Sequence, residues 1–187
     1  QPQPSESDVG IPGFEGLDAT VEFSNHGGKA ALSMADGVLH FPGVFEEPSI
    51  PVQTLQAQIN WDIEPGRLKV TVPEAQFVNQ DAQGSLQALW RMGESDADRL
   101  PGYLQLQGIL KQANGARVYR YLPLEVPEIA RHYVRDSVKQ GQGRDVEFEV
   151  TGNLLDMPFD RPGTGRFYIK APVHDVEYEF VPAALQD

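Results

Sequence analysis

Gln53-Thr-Leu-Gln-Ala-Gln-Ile-Asn-Trp-Asp62, followed by Glu64-Pro65-Gly66 and then Leu68-Lys-Val-Thr-Val72, alternates apolar and polar side chains on both sides of one turn signal. A period of two places Leu55, Ala57, Ile59 and Trp61 on one face of a strand, and Leu68, Val70 and Val72 on one face of the next. The Pro-Gly between them joins the two runs as an antiparallel hairpin. The same rhythm spreads outward in both directions. Thr20 to Ser24 carries Val21 and Phe23 together, and further strands are expected at 29–34, 37–41, 75–79, 84–91, 103–111, 146–154, 165–171 and 176–180. Short connections such as Ala35-Asp36-Gly37, Asp81-Ala-Gln-Gly84 and Arg161-Pro-Gly-Thr-Gly165 supply turns between them. They favour sequential antiparallel pairing and leave no room for the crossover helices of a parallel sheet.

The chain has 187 residues, enough for one large domain or two small ones, and its 18 glycines and 15 prolines fit a turn-rich β protein. Residues 1–14, opening Gln-Pro-Gln-Pro-Ser-Glu-Ser-Asp, read as a linker or ragged end. Residues 15–187 read as one segment, with the polar break at 93–100 dividing it into halves 15–93 and 100–187. A net charge of −12 argues against nucleic acid as a partner, because phosphate binding needs a basic surface. With no cysteine there is neither a disulfide framework nor a thiolate metal site. No apolar run approaches the roughly 20 residues that cross a bilayer as a helix.

One stretch breaks the strand rhythm. Asn114 is placed to cap a short helix through Tyr121 that ends at Pro123, and a second helix is expected from Pro127 to just before Gly141. On that second helix Ile129, Tyr133 or Val134, and Val138 share one face, while Arg131, Arg135 and Lys139, four apart, line another. The segment from Lys111 to Arg144 holds seven of the 15 basic residues, so the insert is locally positive on an acidic body. The ordinary account of the basic stripe is a solvated helix face; the sharper one is contact with anionic headgroups or an acidic partner.

Catalytic chemistry is not legible. The four histidines, His26, His40, His132 and His174, are dispersed and none has metal-ligand spacing. Ser85 after Gly84 lacks the second glycine of a nucleophile elbow. The Gly-x-Gly pairs at 141–143 and 163–165 lack the remainder of a phosphate-binding loop and read as strand-entry turns. The expectation is a non-enzymatic chain with no catalytic residue, no metal and no cofactor.

Arg120-Tyr-Leu-Pro123, a following helix with Tyr133-Val134 and Val138 ahead of Gly141, Val150-Thr-Gly-Asn-Leu154, Met157-Pro-Phe159, Gly165-Arg-Phe-Tyr-Ile169 and Val176 to Pro182 come in an order that resembles the YhdP family. These are AsmA-like, TamB-related envelope proteins of Gram-negative bacteria. The resemblance covers 102–182 through ordered motifs and the first half through its strand style. It implies an internal periplasmic segment of a longer, inner-membrane-anchored protein with an extended β-groove. It further implies phospholipid transport between the membranes without chemistry, in support of outer-membrane lipid balance and permeability. The implied partners are phospholipid acyl chains, neighbouring segments of the same chain and an envelope protein.

The overall expectation is a mainly β, β-rich α+β fold: an extended, curved antiparallel sheet or groove with a short helical insert near 115–140. A sheet apolar on one face and polar on the other shelters acyl chains along the first while headgroups stay in water. The candidate lining residues are Leu104, Leu106, Val146, Phe148, Val150, Phe167, Ile169 and Ala171, with Arg131, Arg135 and Lys139 as headgroup or partner contacts. The competing account of the lining set is ordinary core packing against the insert or a second sheet. The competing functions are a structural or docking module of the envelope, and a carbohydrate-binding β-sandwich with exposed aromatics.

Overall fold

The computed structural model describes residues 11–93, 95, 99–124, 126, 128–157 and 159–178. Residues 1–10 of the expected linker, and the end of the last expected strand beyond Tyr178, lie outside them. Eight strands follow one another in one open antiparallel sheet: β1 Gly13–Ser24, β2 Gly27–His40, β3 Ser49–Glu64, β4 Arg67–Val78, β5 Ala82–Arg91, β6 Tyr103–Asn114, β7 Val138–Asn153 and β8 Gly165–Lys170. A ninth, β9 Val173–Tyr178, pairs with the first part of β7. β5 and β6 pair directly across the polar break, Arg91 opposite Tyr103, so the sheet is continuous there.

The hairpin expected around Pro65-Gly66 is present, with Gly66 at φ +72° and Glu64 opposite Arg67. Ala35-Asp36-Gly37, expected as a turn, lies inside β2 instead. Asp36 has a φ of 53°, and around it the apolar phase slips by one residue: Met34 and Gly37 are both buried on β2, Val52 is buried on β3, and half-buried Leu55 follows it three positions on. A turn-forming residue thus moves the apolar side chains to the other parity without ending the strand. Residues 68–72 and 75–79, expected as separate strands, are joined in β4 by an irregularity between Val72 and Ala75.

The insert is shorter than expected. Asn114 does cap it, its side chain accepting a hydrogen bond from the Ala116 N–H (3.1 Å) at the start of a 3-10 helix, Gly115–Tyr121. The second helix, α1, covers only Glu128–Ser137. β7 begins at Val138 rather than at 146, because the backbone of 142–144 pairs with 112–114 of β6 and, on the other side, with β9. Lys139 therefore belongs to a strand, and the stripe of Arg131, Arg135 and Lys139 on one helix face does not exist.

Candidate functional site: an uncovered apolar sheet face

Directly paired residues in an antiparallel sheet share a face, so the register defines rows that run across the strands. Phe23, Gly28, Trp61, Val70, Trp90, Leu104, Gly152 and Gly165 form one row from β1 to β8. Ala19, Leu32, Ala57, Ala75, Leu86, Gly108, Phe148 and Ile169 form a second. Between them Val21, Ala30 and Ile59 on one side of a β3–β4 bulge meet Val72, Ala88, Leu106, Val150 and Phe167 on the other. Leu17, Met34, Leu55, Phe77, Gly84, Leu110 and Val146 complete the face toward the insert. No row contains a charged or amide side chain. The opposite face carries Glu22, Lys29, Asn60, Gln58, Gln76, Gln87, Gln105, Gln107, Glu147 and Glu149. At about 4.8 Å per strand interval, the two rows that run unbroken from β1 to β8 are roughly 33 Å long.

Seven of the eight expected lining residues, Leu104, Leu106, Val146, Phe148, Val150, Phe167 and Ile169, fall in these rows. Ala171 stands just past the end of β8. Sequence reading missed the first half of the face, Val21 and Phe23 through Trp61, Val70, Phe77 and Trp90. Their parity was visible, but their alignment with the second half depends on register, and register is a property of the whole sheet.

Among the described residues no second sheet covers the face. Among the described residues the fully buried apolar side chains are Met34, Val52, Ala75, Val146 and Val150. Most of the remainder in the middle strands are half-buried, sheltered by neighbours on the same face. At the two edge strands shelter fails: Phe23 is 81% exposed and Phe167 40%.

Glycines at three places let aromatic rings lie on the sheet. A Cβ on Gly28 would collide with the Trp61 ring, one on Gly108 with Phe148, and one on Gly152 or Gly165 with Phe159. All four glycines belong to the apolar rows, so these rings lie against the backbone of the apolar face.

The polar end of the molecule is built by the insert. Asp81, its side chain 5% exposed, accepts hydrogen bonds from Arg120 (2.7 Å) and the Tyr121 hydroxyl (2.9 Å), with the Arg117 Nε at 3.4 Å. Asn79 holds the same turn, accepting from the Asp81 and Ala82 N–H groups and donating to the Tyr121 hydroxyl (3.0 Å). Burial first, and then Asp81, pushes the Tyr121 hydroxyl up to about 12. Burial opposes the Arg120 charge, but Glu47 and then Asp81 outweigh it and raise the guanidinium above its ordinary value. Arg131, expected to face headgroups, is buried: it donates to the carbonyls of Leu124 (3.0 Å) and Val126, and its Nε lies 3.7 Å from Glu46. Arg135 pairs with the adjacent Asp136 (2.9 Å), and Lys139 is exposed on β7.

Among the described residues a hydroxyl–imidazole–carboxylate line runs from Ser49 to His40 Nδ1 (3.0 Å) and from His40 Nε2 to Glu15 (3.2 Å), but it lies on exposed strand ends. Among the described residues no group of three His, Asp or Glu side chains is placed to hold a metal ion, and no helix is long and apolar enough to cross a membrane. No curated protein and no solved structure matches the chain. The family model described as YhdP protein matches residues 4–184, nearly the whole sequence, and the chain belongs to that family.

Proposed function

We propose that this chain is a periplasmic segment of an inner-membrane-anchored, AsmA-like phospholipid carrier, and that it holds acyl chains on its apolar rows without catalysing a reaction. The observation that carries this reading is the run of apolar rows across eight strands with, among the described residues, no second sheet over them. Burying about 14 methylenes at ~0.8 kcal/mol each is worth roughly 11 kcal/mol before ordering costs, so a shallow, repetitive surface suffices to retain a chain. The rows run in the direction in which the sheet is extended by further strands, which suits movement past many equivalent contacts. Leu104, Leu106, Val146, Phe148, Val150, Phe167 and Ile169 serve as lining, joined by Phe23, Trp61 and Trp90. Ala171 continues the lining beyond β8. Arg135 and Lys139 serve headgroups or a protein partner; Arg131 serves the insert itself. The role of the whole protein in this reading is outer-membrane lipid homeostasis and the permeability barrier.

The test is mass spectrometry of an organic extract of the purified protein, alongside transfer between liposomes. Phospholipid in the parent extract and its loss from Leu106→Asp/Val150→Asp, with the strand signal kept, is the expected result. An extract free of lipid, with no transfer, defeats the proposal. The second reading is a docking module without lipid. It is favoured by β1, which pairs on one side only among the described residues and offers its outer backbone to another strand. That reading expects partner capture by a chain whose extract is empty.

A further inference from the structure

β6 and β7 are adjacent in the sheet and a two-residue turn could join them, yet the chain between them makes the excursion through the 3-10 helix and α1. It leaves β6 without a linker at Asn114 and enters β7 without one at Val138. In between it reaches the β2–β3 loop: Phe45 bridges Pro123, the Leu124 N–H donates to the Val44 carbonyl (2.9 Å), and Arg120 meets Glu47 (2.8 Å). Arg131 and His132 approach Glu46 at 3.7 and 3.6 Å. On the way it is fixed to the β4–β5 turn through Asp81. From β6 to β3 the sheet spans three intervals, roughly 14 Å.

We infer that the insert is a strap drawn across the strand ends, which sets the span between the β2–β3 and β6–β7 pairs, with Arg120 as its central tie. The ladders from β3 to β6 fix the distance between neighbouring strands, but strand-to-strand twist ranges widely, and among the described residues no packed second layer fixes the curvature on which the end-to-end span depends. The two attachments differ in kind. The inner one, at Asp81, is buried, and loss of Arg120 there removes the nearer of the two cations that compensate the carboxylate. Beside the Phe45–Pro123 bridge and the Leu124–Val44 backbone hydrogen bond, the outer one rests on Glu46 and Glu47, 43% and 47% exposed, where ion pairs are weak and screened by salt. The strap therefore releases at the β2–β3 loop first while remaining seated on β4–β5, which widens or narrows the apolar face at that end. The inference concerns the sheet and holds whether or not the face carries lipid.

Spin labels at Gln56 on β3 and Gln105 on β6, both exposed on the polar face, report the span by pulsed electron resonance. The parent is expected to give one narrow distance distribution at low salt. Glu46→Gln/Glu47→Gln, and the parent at about 1 M salt, are expected to give a broader or displaced one with the circular dichroism of the strands unchanged. Arg120→Ala is expected to broaden it further. If Arg120→Ala does not fold, the double glutamine variant, which changes only exposed side chains, still decides. Identical distributions in the parent and the double variant overturn the strap.

Discussion

Phe148 lies over Gly108 so closely that the glycine has no room for a methyl group: its Cβ would enter the ring and come within 2.5 Å of the Ser85 carbonyl. Gly108→Ala is therefore expected to cost about 1–3 kcal/mol as overpacking, read as a fall in the thermal midpoint. A second residue-scale consequence belongs to Tyr121. Its hydroxyl titrates near 12 in the folded chain against 10.0 ordinarily, so the folded state holds the proton more tightly. The stability this supplies is complete below pH 10 and is lost as the pH rises through about 12. Denaturation followed between those limits should show a steeper decline for the parent than for Tyr121→Phe; parallel profiles would remove Asp81 and burial as the cause.

The strands were legible because period two survives wherever one face meets water, and Leu55 to Trp61 or Leu104 to Leu110 needs no partner to be recognised. The start of β7 was not legible, since Lys139-Gln-Gly-Gln-Gly-Arg-Asp145 has no apolar residue; it is held in the sheet by backbone pairing, with a Lys111–Asp145 ion pair (3.1 Å) at its end. Asp36-Gly37 carried a turn signal that the sheet absorbed as an irregularity. The lining residues could be read from parity, whereas the basic stripe failed because four-residue spacing says nothing about where a helix stops. Nor could spacing reveal the buried carboxylate of Asp81, whose partners lie 36 to 40 residues away. The division of labour among the three cations has a direct check. Arg131→Glu should unseat Leu124 and Val126 from α1 and destabilise by about 2–4 kcal/mol, through a lost buried charge-assisted pair of hydrogen bonds. Lys139→Glu, on an exposed strand position, should stay within about 0.5 kcal/mol. Equal effects in thermal melts would contradict the buried placement of Arg131.

At the scale of the molecule, an apolar face that folding leaves partly in contact with water is a face that unfolding cannot newly expose. Denaturant sensitivity and the heat-capacity increment both follow the area uncovered when the chain opens. A urea titration should accordingly give a transition shallower than that of a compact protein of 187 residues, and calorimetry a flatter stability curve. Occupation of the face by hydrocarbon should steepen both. A slope matching the compact expectation in the delipidated chain would mean that the rows are covered after all. The absence of a second sheet among the described residues thus has a calorimetric signature: with its face bare, this sheet should respond to heat and urea as though it were a smaller protein than its length implies.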